Sequence, residues 1–132
     1  MIAHVERMRV AWVDTDASGI IHYTAALRYF EVAEHALMRA LFAGAPPSPQ
    51  PIRLPRVHVE ADFLAPLRYP DEFDCTARVT AVGRSSVTFG YDVQRTDGVA
   101  CIRGRIVVVS CDASGRSIAL PPALRDGLTR AL

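Results

Sequence analysis

The sequence predicts an α+β domain in which one long helix covers one face of an antiparallel sheet. Three observations support this class. A single long amphipathic pattern spans residues 24–42. Predicted strands follow it. Residues 56–64, 72–82 and 86–95 show the two-residue alternation of strands, and residues 99–110 form a more continuously apolar stretch. Turn sequences such as Asp97-Gly98 join these stretches closely, and short connections favour antiparallel pairing.

Composition and length narrow the class of protein. The chain has 132 residues, half of them hydrophobic, and its 15 Lys and Arg residues nearly balance 14 Asp and Glu residues. This length suits a single domain over residues 1–132 with a substantial core. The near-zero net charge argues against a dedicated nucleic-acid-binding protein, which usually carries a strong basic excess.

The cysteines and the apolar runs predict where the protein works. Cys75, Cys101 and Cys111 form no CxxC pair and have no histidine at metal-ligand spacing, which indicates free thiols in a reducing compartment. No apolar run approaches the ~20 residues of a membrane span, and charges interrupt the first residues before a secretory signal could form. We therefore expect a cytoplasmic protein with neither a metal site nor a membrane span.

The first predicted elements lead towards the long helix. Residues 5–12 alternate as a half-buried strand, with Met8, Val10 and Trp12 on one side. A polar turn over residues 14–19 separates this strand from the helix. The chain is therefore expected to change from extended to helical structure within one short polar segment.

The long helix has a continuous apolar face. Its members, at spacings of three and four, are Ala26, Phe30, Ala33, Leu37 and Leu41. Thr24 is the expected N-cap, because its hydroxyl could accept a hydrogen bond from a free amide of the first turn. The helix is predicted to end near Phe42, before a Pro-rich loop over residues 44–51, since Gly44 and the prolines beyond it stop a helix.

Three of the later strands are predicted to bury one face each. Their inward residues are Val57, Val59, Ala61 and Phe63; Phe73, Cys75, Ala77, Val79 and Ala81; and Val87, Phe89, Tyr91 and Val93. The stretch 99–110 is more continuously apolar, which predicts a strand buried on both faces. A short helix over roughly residues 122–131 is expected to close the domain.

The chemistry of the sequence is concentrated in one segment before the helix. It reads Asp14-Thr15-Asp16-Ala17-Ser18-Gly19-Ile20-Ile21-His22-Tyr23. A helix start carries free amides and a partial positive charge, which can stabilise a developing acyl oxyanion. A carboxylate held nearby could attack a thioester carbonyl or activate water. The alternative is that Asp14, Asp16 and Ser18 only shape a turn.

This segment, followed by a long helix, resembles the signature of the 4-hydroxybenzoyl-CoA thioesterase branch of the hot-dog-fold superfamily. It is also similar to the acyl-CoA thioesterases associated with the bacterial Tol-Pal system, and the order of elements agrees over nearly the whole chain. The resemblance implies a highly curved antiparallel sheet wrapped around one long central helix. It also implies a homodimer or homotetramer with an active site between two subunits.

The resemblance assigns roles to individual residues. It implies Asp16 as the nucleophile or general base. The residues predicted to bind substrate are Gly19, Ile20, His22, Tyr23, Thr24, His58, Arg84 and Ser85. The chain differs from Tol-Pal-associated members at His22-Tyr23, where they usually read Tyr-His, and at Ala26, where many relatives carry Tyr; Ala26 implies a roomier acyl pocket.

Several of these residues also have a structural interpretation. Arg84 and Ser85 lie at a turn and could contact the phosphates of coenzyme A, or form an ordinary hairpin. His58 could line a pocket or face solvent. Glu34 falls on the apolar helix face, so it needs an ionic partner such as Arg103 or Arg105, or a catalytic role such as helix carboxylates have in another hot-dog branch.

The function predicted from these observations is hydrolysis of an acyl-CoA or acyl-carrier thioester to a free acid and a thiol. No metal or redox cofactor is expected, because coenzyme A belongs to the substrate. Two alternatives remain open. One is a hot-dog protein that binds acyl thioesters without turnover, and the other, less favoured, is a hot-dog dehydratase.

Overall fold

The structure is a computed structural model, described here for residues 1–44 and 53–132. Its elements are β1 (Ala3–Arg9), a short 3-10 turn (Trp12–Asp14), α1 (Tyr23–Leu41), β2 (Arg56–Phe63), β3 (Glu72–Val82), β4 (Ser86–Arg95), β5 (Ala100–Val109) and α2 (Pro122–Arg130). The strands form one antiparallel sheet in the order β1-β3-β4-β5-β2. The predicted α+β class is confirmed. The Pro-rich loop predicted over residues 44–51 lies, after Gly44, outside the described residues.

The core lies between α1 and the sheet. The apolar face of the helix is buried, and α1 packs mainly against β1 and β3. Phe30 stacks on Tyr91 with ring centroids 4.5 Å apart, and its ring lies directly over Gly104 of β5. A Cβ at position 104 would come within 2.3 Å of that ring, so this glycine permits the close approach of helix and sheet.

The predicted alternation is confirmed in the two central strands, with one exception. All four inward residues predicted for β4 are buried, and so are those of β3 as far as Val79. Ala81 is exposed, because the pairing of β3 with β4 shifts register between Val79 and Ala81. The bulge turns Val82 towards the core in its place.

The end of the first strand differs from the prediction. β1 spans Ala3–Arg9, and the chain then turns through the 3-10 segment Trp12–Asp14. Val10 is fully buried, whereas Trp12 is 76% exposed, so the two do not share a buried side. The 3-10 turn breaks the two-residue period on which that prediction depended.

The remaining strands are less buried in the single chain than predicted. Val57, Val59 and Phe63 of β2 are all exposed, because β2 is an edge strand that the helix does not cover. β5 is not buried on both faces either, since its burial alternates along most of its length. Among the described residues, no helix is long and apolar enough to cross a membrane.

Candidate active site

The loop over residues 15–22 joins the 3-10 turn to α1 and has a defined internal structure. The Asp16 amide donates to the Ile20 carbonyl, and the Gly19 amide donates to the Asp16 carbonyl, each at 3.0 Å. Gly19 has a φ of +79°, a left-handed conformation that glycine adopts without steric cost. The loop is therefore a compact turn that presents the Asp16 side chain.

The exposed carboxylate of Asp16 accepts two hydrogen bonds from Ser18. The Ser18 amide donates to Asp16 Oδ1 at 2.8 Å, and the Ser18 hydroxyl donates to the same oxygen. Both bonds favour the ionised form, so they hold the pKa of Asp16 below its usual range. Within the described residues Asp16 Oδ2 accepts no hydrogen bond, so this oxygen is available to contact a substrate.

The same tetrapeptide, Asp-Ala-Ser-Gly, occurs again at residues 112–115. Asp112 accepts hydrogen bonds from the Ser114 amide at 2.9 Å and the Ser114 hydroxyl at 2.6 Å, which lower its pKa in the same way. Gly115 also has a positive φ, of 87°. The turn is thus a local property of the tetrapeptide, and only its surroundings can give Asp16 a chemical role.

Asp16 borders an apolar cleft of about 430 Å³. Two segments line it: the loop with the helix start, and the chain that follows β2. The lining residues are Asp16, Ile20, Ile21, Tyr23, Phe63, Leu64, Ala65, Pro66 and Leu67. The backbone amide of Ile21 donates to the carbonyl of Leu67 at 3.0 Å, which ties the two walls together. The second wall was not among the residues predicted to bind substrate.

The start of α1 supplies free amide donors, and its first residue, Tyr23, lines this cleft. The helix begins at Tyr23 with His22 as its N-cap, and His22 makes no side-chain capping bond. The prediction of Thr24 as N-cap is therefore wrong, because Thr24 already lies inside the first turn. In the described part of the chain, neither the Tyr23 amide nor the Thr24 amide is taken by a hydrogen bond, as is usual for a first turn.

A second hollow, of about 330 Å³, lies on the other side of the helix start. Its lining residues are Val13, Asp14, His22, Thr24, Ala25 and Arg28. Asp14 is buried, with its carboxylate bonded to Arg28 and to the Tyr29 hydroxyl. Sequence reasoning did not identify Arg28 or Tyr29 as site residues, because their link to Asp14 spans 14 and 15 positions of the chain.

The structure places the predicted substrate-binding residues in several separate positions. Ile20 and Tyr23 line the cleft, and His22 and Thr24 line the second hollow. Gly19 forms the turn between them. His58 lies on the edge strand β2, with Nε2 3.6 Å from Glu60 Oε2.

Arg84 and Ser85 lie far from Asp16 within one chain. Their turn follows β3, whereas the cleft wall at Leu67 precedes β3, an 11-residue strand about 35 Å long. Their carbonyls accept hydrogen bonds from the amides of Leu120 and Ser110, so this turn has a structural role.

Glu34 is buried with partners other than those predicted. Its carboxylate accepts a hydrogen bond from the Tyr91 hydroxyl at 2.7 Å and pairs with the Arg56 guanidinium. The expected pairing with Arg103 or Arg105 is wrong, because the alternation of β5 exposes both arginines on its outer face. Across residues 1–44 and 53–132, no group of three or more His, Cys, Asp or Glu side chains could hold a metal ion.

Comparisons with known proteins agree with the fold and the reaction class. The thioesterase superfamily profile matches residues 18–102. An Aquifex aeolicus (strain VF5) protein named "Putative esterase" is 29% identical over 94 residues, which cover 70% of this chain and 73% of that protein.

Two solved structures show how far the similarity extends. A hypothetical protein from Aquifex aeolicus superposes with a TM-score of 0.83 at 26% identity, covering 94% of this chain and 98% of that chain. A DHNA-CoA thioesterase from Staphylococcus aureus superposes with a TM-score of 0.88, covering 98% of this chain and 91% of that chain. At 18% identity the second match shows the fold alone.

The predicted hot-dog fold is therefore confirmed by the sheet order, the long helix and these neighbours. The match to the superfamily profile includes most of the loop that carries Ser18 and Gly19, the whole of α1 and the cleft wall after β2. This chain belongs to the thioesterase superfamily.

Proposed function

We propose that the protein hydrolyses an acyl-CoA, or a related pantetheine thioester, to a free acid and a thiol, with Asp16 as its catalytic carboxylate. One observation carries the proposal. The ionised Asp16 carboxylate and Tyr23, the first residue of α1, whose amide is free among the described residues, border the same apolar cleft. The second Asp-Ala-Ser-Gly turn has the carboxylate without this setting.

The geometry suggests how the reaction proceeds. Asp16 Oδ2 attacks the thioester carbonyl carbon while the Tyr23 amide, at the start of α1, stabilises the oxyanion. The C–S bond breaks, the thiolate leaves, and water then hydrolyses the acyl-carboxyl anhydride to regenerate Asp16. General-base activation of water by the same ionised carboxylate is the alternative route to the same products.

The cleft favours an uncharged acyl group. Among the described residues, the side chains that line the cleft are apolar apart from Asp16 and the Tyr23 hydroxyl, so a second charge would find no partner among them. The narrower branch, 4-hydroxybenzoyl-CoA or Tol-Pal-associated thioesterase, stays a prediction that depends on the loop motif. Contacts of Gly19, His58, Arg84 and Ser85 with the substrate also stay predictions. The proposed reaction needs no metal or redox cofactor, since water and the carboxylate supply its chemistry.

We also propose that the protein works as a homodimer, alone or paired into a homotetramer, with β2 at the interface. Its outer backbone edge is unpaired among the described residues, and its exposed Val57, Val59 and Phe63 form an apolar row. Edge strands of this kind pair readily with a second copy. Phe63 also lines the cleft, so this pairing would complete the site from two subunits.

The interface is tested by Val59→Asp, with Val5→Asp as its control. Both valines lie on edge strands with similar exposure, 44% and 53%. Light scattering after size exclusion should show that Val59→Asp weakens the dimer at least about tenfold, since it buries an unpaired carboxylate, whereas Val5→Asp leaves it intact. A monomeric wild-type protein, or a dimer that only Val5→Asp dissociates, would contradict this interface.

The catalytic proposal is tested by following thiol release from a panel of acyl-CoA and acyl-carrier thioesters. Asp16→Asn should lower kcat by about 100-fold or more, because it removes the attacking group. Asp112→Asn changes the same residue in the same turn and should retain wild-type kcat. Binding without turnover by the wild-type protein would instead favour the alternative of an acyl-thioester-binding protein. Hydration of an enoyl thioester would favour the dehydratase.

A further inference from the structure

Asp14, two positions before Asp16, is a buried carboxylate whose two oxygens are both engaged. It is 3% exposed. Oδ2 accepts hydrogen bonds from the Tyr29 hydroxyl at 2.7 Å and from the Ala11 amide at 3.0 Å, and Oδ1 pairs with the Arg28 guanidinium. A buried carboxylate is costly unless it is paired and hydrogen-bonded, so this set of donors defines one favoured position for Asp14.

These bonds hold together the two ends of the loop that carries Asp16. The Asp14 side chain connects the 3-10 turn to Arg28 and Tyr29 in the second turn of α1. The Asp14 carbonyl accepts a hydrogen bond from the His22 amide at 2.7 Å, at the N-cap of the same helix. The loop between them therefore begins and ends at fixed points.

Asp16 has no comparable anchor of its own. Its carboxylate is exposed and bonds only to Ser18 within the same turn, among the described residues. Its placement relative to the start of α1 therefore depends on how the backbone of the loop is held, and the bonds of Asp14 hold both ends of that loop. In the second Asp-Ala-Ser-Gly turn the position equivalent to Asp14 is Ser110, which supplies neither a charge nor this connection.

We propose that Asp14 is a positioning residue, whose bonds to Arg28 and Tyr29 fix Asp16 against the start of α1. The inference rests on the proposed function of Asp16. Loss of this anchor would leave the cleft and its apolar contacts in place while displacing the attacking carboxylate. Displacements of about 1 Å from a reactive geometry can cost about 100-fold in rate. The effect should therefore fall on kcat rather than on KM.

The experiment compares Asp14→Asn with Asp74→Asn. Asp74 also pairs with an arginine, Arg7, but lies on the sheet surface between β1 and β3, away from the loop. Steady-state kinetics on an acyl-CoA, normalised to folded protein, should show kcat lowered at least about tenfold in Asp14→Asn, with KM within about threefold. Asp74→Asn should match wild type in both constants.

A second variant and a second measurement keep the inference testable if Asp14→Asn does not fold. Tyr29→Phe removes one donor while keeping the ring, and should lower kcat about two- to tenfold without changing KM. Amide hydrogen exchange at His22 should be faster than wild type in whichever of the two variants folds, and unchanged in Asp74→Asn.

The outcomes separate this inference from the proposed function. An active wild type with unaltered kcat in the folded Asp14 or Tyr29 variants would overturn the positioning role. So would a loss of stability with kcat per folded molecule unchanged, since that result indicates a purely structural ion pair. A wild type that turns over no thioester would overturn the proposed function, whereas the exchange rate at His22 would still test whether Asp14 fixes the loop.

Discussion

Glu34 is, with Asp14, one of two buried carboxylates among the described residues, and Glu34→Gln separates a structural role for it from a catalytic one. It is 4% exposed and bonds to Tyr91 and Arg56. It follows Tyr23 by eleven positions, which places it about 16 Å along the helix axis from the amides beside Asp16. It lines neither the cleft nor the second hollow.

The expected loss of stability follows from the partners of Glu34. Removing one member of a fully buried ion pair costs about 3–5 kcal/mol. The Arg56 side chain is 33% exposed, so water can solvate its charge after the substitution. The glutamine side chain can still accept a hydrogen bond from the Tyr91 hydroxyl. That hydroxyl stays protonated, because burial and the Glu34 charge raise its pKa. We therefore expect Glu34→Gln to lower the free energy of unfolding by about 2–3 kcal/mol.

The assay is urea unfolding at fixed protein concentration, together with kcat on the same preparations. Glu60→Gln is the control, because Glu60 pairs with Arg105 on the exposed face of the sheet and its loss should not change stability measurably. In Glu34→Gln we expect kcat per folded molecule within about threefold of wild type. Wild-type stability would refute the buried pair, and a 100-fold loss of kcat with intact stability would move the catalytic role to Glu34.

Three further changes probe the core, the loop and the thiols. Gly104→Ala places a Cβ against the Phe30 ring, so urea unfolding should show a loss of about 1–3 kcal/mol from overpacking. Ser18→Ala removes a hydrogen bond to the ionised carboxylate of Asp16. The pKa of Asp16 should therefore rise towards its usual range in an NMR titration, and the acid limb of kcat/KM should move to higher pH with it. Burial raises the pKa of the Cys75 thiol to about 12, so a disulfide reagent at neutral pH should modify it only after denaturation.

Each of these expectations has a contradicting result. An unchanged urea midpoint in Gly104→Ala would show that the helix can withdraw from the sheet without cost. Ser114→Ala alters the second turn in the same way as Ser18→Ala, so a shift in the pKa of Asp16 in that variant would mean that Ser18 is not the cause. Rapid modification of native Cys75 would show that its strand opens at low cost.

Much of the fold follows from patterns that operate within a few residues. β3 and β4 were predicted well because both are central strands with one face against the helix, and the alternation records that burial directly. The same alternation gave a wrong prediction for β2. An apolar strand face predicts burial, but it does not show whether the same chain or another molecule would cover that face. Ala81 was placed on the wrong side because a register shift is a property of two strands and has no signal in one.

The candidate site was likewise predicted only in part from the sequence. The loop was identified from sequence because its polar residues and the helix start are contiguous. The cleft wall from Phe63 to Leu67 was not, since only the folded sheet brings it to Ile20 and Tyr23. The partner of Glu34 was predicted on β5 but lies on β2, because the choice among arginines depends on which strand face meets the helix.

The two carboxylates of the Asp14-Thr15-Asp16 element show why spacing alone could not assign their roles. In an extended strand, residues two apart would point to the same side. The 3-10 turn ends at Asp14 and changes the direction of the chain. The Asp14 side chain is therefore buried and bonded to Tyr29, whereas the Asp16 side chain faces the cleft. One carboxylate can thus be buried and bonded while the other stays exposed and available to a substrate. The repeated turn at Asp112 supports the same argument. Its carboxylate also accepts bonds from the serine two residues later, but Ser110 takes the place of the buried carboxylate, and α2 begins only at Pro122, seven residues beyond Gly115.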